Sequence, residues 1–296
     1  MQVTPLVDTE PRPRRVAVGE FDGVHLGHRE VIRGADTVLT FHPHPVAVVR
    51  PEVAPKLLTS LTVKADLVSG LGVREMVVIE FDAAFAAQEP QEFIDHVLIQ
   101  RLQATHVSVG ENFRFGHRAA GDATLLAGQA AFSTRIVPLV EVDAEIVSST
   151  HIRGLVVAGE VDDAARFLGA PFQLRGVVVE GDRRGRALGY PTANIVPDDE
   201  LVCPGHGVYA CLADGWPAAV NVGVRPTFDT GRGVLIEAYV IDFEGDLYGH
   251  ELRLDFLQRL RGERRFDGVD ALVAQMRRDV EDAREVAKRS ASVLRP

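Results

Sequence analysis

The sequence predicts an α/β domain built on a parallel sheet, followed by an antiparallel β domain that closes with one helix. Three observations carry this prediction. Short apolar, β-rich runs alternate with helical patterns up to about residue 172; beyond that point such runs follow one another directly, punctuated by Gly, Pro and Asp; and the chain then ends in an amphipathic helical stripe. A length of 296 residues also favours two domains over one core. The boundary falls between domains of residues 1–172 and 173–296.

In the first half, RRVAVGEF, DTVLTF, EMVVIEF, THVSVG and TRIVPLVEV read as strands. Between the third and fourth, PQEFIDHVLIQRLQA repeats Phe93, Ile94, Val97, Leu98 and Leu102 at helical spacing. Such alternation builds a parallel sheet with crossover helices. One connection conflicts with it. From His28 to DTVLTF only about eight residues remain, whereas a parallel crossover takes about a dozen or more, so this connection is expected to be too short.

In the second half, FQLRGVVVE, GVYACLA, AAVNVGV, VLIEAYVID and ELRLDFLQRL read as strands of a small barrel or sandwich. In the last of them Leu252, Leu254 and Phe256 alternate with Glu251, Arg253 and Asp255, the mark of an antiparallel sheet with one wet face. Val269, Leu272, Val273, Met276 and Val280 form the stripe of the closing helix.

Composition excludes several classes of function. With 46% hydrophobic and 25% charged residues and no apolar run approaching a membrane span, the chain reads as a soluble globular protein without a membrane partner. The N-terminus, MQVTPLVDTEPRPRR, has no apolar core of a signal peptide, and Cys203 and Cys211 form no disulfide framework, which together predict a cytoplasmic protein. The 42 acidic residues outnumber 32 Lys and Arg, so no broad basic footprint for nucleic acid exists. Any phosphate must be held locally. Oligomeric state is left open.

Two motifs offer such local sites. GEFDGVHLGH, Gly19 to His28, leaves the first predicted strand through glycines, at the edge where parallel sheets bind ligands. Gly23 and Gly27 permit close approach of the backbone, and His25 and His28 bring imidazole donors to phosphoryl oxygens. SSTHIR, Ser148 to Arg153, opens a helical pattern in which Ser148, Ser149 or Thr150 is the N-cap and Arg153 sits in the first turn. Each motif alone is equally an ordinary turn or cap. The histidines His25, His28, His42 and His44 do not have the spacing of a zinc site.

In this order, GxFDGxHxGH and SSTxIR resemble the adenylyltransferase domain of the bacterial bifunctional riboflavin kinase/FAD synthetases. TFHPHP, Thr40 to Pro45, and VGENFRFG, Val109 to Gly116, are similar to two further signatures of that family. In the second half GRALGYPTANI, VNVGVRPTF, IEAYVIDFEGDLYG and LRGERRFDGVDALVAQMRRD resemble successive blocks of its riboflavin kinase domain, so the likeness covers essentially the whole chain.

The resemblance implies a Rossmann-like nucleotidyltransferase domain and a β-barrel kinase domain with a C-terminal helix. It implies that riboflavin is phosphorylated to FMN and that FMN then attacks the α-phosphorus of a second ATP, giving FAD and pyrophosphate. ATP, riboflavin and FMN are the implied partners, and Mg2+ arrives with ATP. In the first half it assigns phosphate contacts to Gly19, Phe21, Asp22, Gly23, Gly27, Ser148, Ser149, Thr150 and Arg153, catalytic roles to His25 and His28, and a place near nucleotide and flavin to Asn112. In the second it assigns ATP contacts to Gly181, Gly185, Arg186, Gly189 and Pro191, Mg2+ ligation to Thr192 and Asn194, and the role of general base to Glu237, the one ionisable group in a mostly apolar strand. A structural ion pair of Glu237 with Arg225 is the plainer alternative for that residue. Two rival readings of the whole are a riboflavin kinase with an inactive adenylyltransferase domain and a non-catalytic flavin carrier.

Overall fold

The structure, a computed structural model, describes residues 1–180, 190–225 and 233–293. It divides into two compact units, Met1–Ser149 and Thr150–Pro296.

The first unit is a six-stranded sheet of β1 (Gln2–Pro5), β2 (Arg14–Val18), β3 (Thr37–His42), β4 (Glu75–Glu80), β5 (Ala104–Gly110) and β6 (Ser133–Val137), in the order β1-β4-β3-β2-β5-β6. Every pairing is parallel. The central strands are buried on both faces. Val16, Val18, Leu39, Phe41, Val77 and Ile79 pack to one side with Phe93, Ile94, Val97 and Leu98, while Ala17, Val38 and Met76 pack to the other with Val31, Ile32 and Val68. Near-continuous apolar runs are what a doubly covered parallel sheet requires.

The connection expected to be too short is sufficient. The crossover from β2 to β3 is the whole stretch from Gly19 to Asp36, and it carries α1 (Leu26–Ile32), a helix of seven residues. The helix predicted around Phe93 to Leu102 forms, but from Phe93 to Arg101 it is widened to π geometry, with Leu102 N–H donating to Val97 O at 2.9 Å. All five predicted core residues are 4% exposed or less. The run TRIVPLVEV breaks at Pro138: β6 ends at Val137, and Glu141–Val142 pairs instead with Glu145–Ile146.

The edge strand β1 has no apolar run to announce it. Opposite the C-terminal edge, Glu75 holds the starts of three strands together. It accepts from Arg14 Nε at 2.8 Å, from Arg12 Nη2 at 2.7 Å and from Thr37 Oγ1 at 3.4 Å.

The second unit opens with α3 (Ser149–Ala158) and α4 (Val161–Leu168); α2 (Leu61–Ser69) belongs to the first. Residue Ser149 itself stands at the division between the units. A closed antiparallel barrel follows, made of β7 (Phe172–Val179), β8 (Ala193–Ile195), β9 (Gly207–Ala213), β10 (Trp216–Arg225), β11 (Gly233–Val240) and β12 (Glu251–Arg261) in the order β7-β8-β11-β10-β9-β12. The five predicted strands are all present, and ANI within PTANI adds a sixth, β8, that is not among them. Of the two architectures open at the sequence level, barrel or sandwich, the barrel is the one formed.

The helix α5 (Val269–Val293) packs through Val280, Ala283 and Val286 against Ala210, Tyr239, Ile241 and Leu257. Its predicted stripe begins too early, since Val269 is 61% exposed. Arg261 fastens the helix to β12 through Asp279, Nη2 to Oδ2 at 2.7 Å. Cys211 is fully buried and Cys203 partly so; neither forms a disulfide.

Candidate functional site

Parallel pairing puts the C-terminal ends of β2, β3 and β5 at one edge, and the loop from Gly19 to His28 leaves β2 there. The loop is sharply bent. Phe21, Gly23 and Val24 have φ of 50°, 85° and 43°, a region that a β-branched residue such as Val24 adopts only when its surroundings enforce it.

Asp22 provides the enforcement. Its carboxylate is 2% exposed and accepts from Leu58 N–H at 2.9 Å, from Thr59 N–H at 3.1 Å and from the Thr59 hydroxyl at 3.3 Å, while Gly23 N–H donates to Thr59 Oγ1 at 3.1 Å. Asp22, expected to contact phosphate, therefore engages the 58–59 turn and shapes the loop. The Phe21 ring, 1% exposed, is likewise core.

His25 caps α1: its Nδ1 accepts the His28 N–H at 3.2 Å. An accepting Nδ1 places the proton of the neutral ring on Nε2. His25 and His28 stack with centroids 3.4 Å apart. Burial pushes His25 down to about 4, with Arg29 adding to the shift and a backbone hydrogen bond opposing it; burial, then His25 and Lys64, hold His28 well below the ordinary range. Both rings are neutral at pH 7. Two amides of the loop are already engaged, that of Gly23 by Thr59 Oγ1 and that of His28 by His25 Nδ1. What remains open is side-chain donor capacity, and His28 Nδ1 is buried without a hydrogen-bond partner.

Three residues given no role at the sequence level act here, Glu20 within the loop and Lys64 and Thr40 against it. Lys64, 6% exposed on α2, donates to Glu20 O at 2.6 Å and to Thr40 Oγ1 at 3.3 Å, and Thr40 Oγ1 donates to the same carbonyl at 3.1 Å. Glu20 Oε1 is buried without a hydrogen-bond partner. No local pattern marks these residues, because Lys64 and Glu20 are 44 positions apart.

Asn112, exposed in the turn after β5, lies at the same sheet edge as the loop. Ser148 precedes α3, Ser149 Oγ donates to Asp22 O at 2.9 Å, and Arg153 Nη1 lies 3.5 Å from Thr150 Oγ1 in the first turn of that helix. His44, in TFHPHP, caps the short helix Pro45–Val49 through Nδ1, accepting from Val46 N–H at 3.1 Å.

In the barrel, register places Asn194 opposite Glu237 and Glu237 opposite Asn221, a polar row across β8, β11 and β10. Asn221 Nδ2 donates to Glu237 Oε2 at 3.3 Å. The face of β11 carrying Ile236 and Ala238 is fully buried, whereas Glu237, on the other face, is half-buried. The carboxylate is thus only partly desolvated, and it has in Asn221 a partner that the sequence reading does not name. Asn221, the polar break in AAVNVGV, was the available signal. Asn194 is 7% exposed; Thr192 is half-buried just before β8, and Pro191 is exposed. The donors of this row are oxygen-bearing side chains suited to a hard cation. Gly181, Gly185, Arg186 and Gly189 lie outside the described residues, as does the side chain of Arg225.

Residues 7–151 match the family model for FAD synthetase and residues 168–287 that for riboflavin kinase. The chain is 37% identical over 91% of its length to the bifunctional riboflavin kinase/FMN adenylyltransferase of Listeria monocytogenes, covering 91% of that protein, and 35% identical over 94% to that of Bacillus subtilis, covering 94%. The crystal structure of a macrolide-efflux protein from Streptococcus pneumoniae superposes with a TM-score of 0.87 at 32% identity, covering 96% of this chain and 99% of that one. Among the described residues of this chain no helix is long and apolar enough to cross a membrane. Matches in both halves, in the same order and over nine-tenths of the length, establish that the chain belongs to the bifunctional riboflavin kinase/FMN adenylyltransferase family.

Proposed function

We propose that the chain phosphorylates riboflavin to FMN at the barrel and adenylylates FMN to FAD at the C-terminal edge of the parallel sheet. The observation that carries the reading is the pairing, in one chain, of a buried histidine couple on a braced loop with a polar Asn194–Glu237–Asn221 row in a barrel wall.

At the sheet edge, His25 donates through Nε2–H to phosphate oxygens, and His28 joins it in stabilising charge on the transferring phosphorus and departing pyrophosphate. Gly19 and Gly27 are assigned to the nucleotide's phosphates as well; a Cβ at either would press on the ring of Phe21 or of His25 and disturb the loop that presents them. Ser148, Ser149, Thr150 and Arg153 contribute hydroxyls and a guanidinium, with Asn112 toward nucleotide and flavin. Because that helix start serves adenylyl transfer, the functional domains are 1–172 and 173–296.

At the barrel, Glu237 is the general base that takes the proton of the ribityl hydroxyl, and Asn221 orients it. Thr192 and Asn194 would hold Mg2+ together with ATP phosphates, the manner in which this cation is commonly bound by few protein oxygens. When bound, Mg2+ neutralises charge on the transferring phosphates. Pro191, Gly181, Gly185, Arg186 and Gly189 are proposed to line the same ATP. An acidic chain handling soluble substrates suits the cytoplasm and no nucleic-acid partner.

A time course with riboflavin, ATP and Mg2+, resolved by chromatography, tests the reading. FMN that rises and gives way to FAD is expected. FMN without FAD would remove the adenylyl-transfer assignment, and bound flavin without ATP turnover would leave only a carrier.

A further inference from the structure

We propose that Glu20 is a further substrate-binding residue of the adenylyl-transfer site, its carboxyl group donating a hydrogen bond to a phosphate oxygen held at the 19–28 loop, with Lys64 as the residue that positions it. The inference rests on the reading of that loop as the phosphate site.

Glu20 follows Gly19 directly at the end of β2, between the sheet edge and the histidine couple. Its Oε1 is buried with no hydrogen-bond partner, and among the described residues its carboxyl makes no ion pair. His28 Nδ1, on the same loop, is in the same condition. A buried polar atom without a partner is costly, and two on one loop beside one ammonium mark a place that an incoming polar ligand completes.

Lys64 is that ammonium. It grips the Glu20 main chain at 2.6 Å and Thr40 Oγ1 at 3.3 Å, which uses two of its three donors. Its charge acts on both the Glu20 carboxyl and the His28 imidazole, so the two groups stand around it.

An ionised carboxylate at this point would repel a polyphosphate, whereas a neutral carboxyl offers it a donor. Burial favours the neutral form, pushing Glu20 up to about 8 against the opposing pull of Lys64, with Asp22 adding to the rise. The charged and titratable groups around it are Lys64 from α2, Asp22 in its own loop and His28 from α1, which is neutral; Thr40 on β3 brings no charge.

The test is kcat/KM for FAD formation from FMN and ATP by the full chain between pH 6.5 and 9.5. Phosphate groups with a second pKa of about 6 are already ionised across most of this range. Wild type is expected to lose about tenfold between pH 7 and 9, following one group that titrates near 8. Glu20→Gln, which keeps an N–H donor at every pH, is expected to lose this decline. Lys64→Met is expected to move it to higher pH, because the opposing positive charge is gone. A decline that persists unchanged in Glu20→Gln overturns the assignment. If His28→Ala keeps full FAD formation, the reading of the loop itself fails instead.

Discussion

The rings of His25 and His28 lie stacked, with centroids 3.4 Å apart and planes inclined by 17°, and the His28 N–H donates to His25 Nδ1. Two imidazolium cations would not share this arrangement, and burial keeps both rings neutral. His25 is held at about 4 in the fold against about 6.5 in an unfolded chain. Between these values the unfolded state binds a proton that the folded state refuses, so stability falls as pH drops from 6.5 to 4 and levels off below. The contribution of His25 over that window is roughly 3 kcal/mol. Denaturant unfolding of the first transition at pH 7 and pH 4.5 should show this loss, and His25→Asn, which keeps a capping oxygen without the titration, should reduce it. Equal losses in both proteins would place the proton elsewhere.

The two chemistries should separate by mutation. Glu237→Gln removes a base from the barrel, a change that commonly costs 10²–10⁴-fold, and should abolish FMN formation from riboflavin while FMN still becomes FAD. His28→Ala removes a donor from the adenylyl site and should do the reverse, lowering FAD formation on the order of 100-fold. Assays started from riboflavin and from FMN read the two steps separately. If either change disabled both steps in a folded protein, the division of labour would be wrong.

Legibility in the sequence followed sequence distance. The strands of both units were readable because buried on two faces, or on alternating ones, they carry period and apolarity in a few consecutive residues. QVTP and ANI lack that signature: β1 is an exposed edge, and β8 has only three residues. The histidine couple was visible because its members are three apart. The bracing of its loop was not, because Asp22 meets Leu58 and Thr59 across 36 and 37 positions and Glu20 meets Lys64 across 44. The phosphate contact given to Asp22 comes from the resemblance alone, and the turn its carboxylate engages, at Leu58 and Thr59, lies beyond the reach of any local pattern.

Glu75 and Arg14 tie β4 to β2 at the edge of the sheet opposite the 19–28 loop. Arg14 is 2% exposed, and its guanidinium has Glu75 as its counter-charge at 2.8 Å. Although burial pushes the Glu75 carboxyl up, the hydrogen bond and charge of Arg14, then Arg12 and Thr37, hold it below the usual carboxylate range. The pair therefore contributes stability above the unfolded value of about 4.3, and that contribution is lost as pH falls through the lower folded value. Glu75→Gln leaves a buried unpaired cation and should cost about 3–5 kcal/mol at pH 7. Chemical denaturation at pH 7 measures it, and a cost below 1 kcal/mol would mean that Arg14 finds another partner.

Asp22 is expected to act on adenylyl transfer only through the loop. Asp22→Asn turns an amide NH2 toward the Leu58 and Thr59 amides, or leaves one of them unmatched, and should destabilise the first unit by about 1–3 kcal/mol. Thr59→Val removes the hydroxyl that links Asp22 to the Gly23 amide and should reproduce a smaller part of the same loss. In both variants FAD formation should fall in proportion to the loss of stability, with FMN formation from riboflavin kept. An Asp22→Asn protein of undiminished stability that had nonetheless lost ATP affinity would return Asp22 to direct contact with the nucleotide, because an anchoring role predicts that stability and binding fail together.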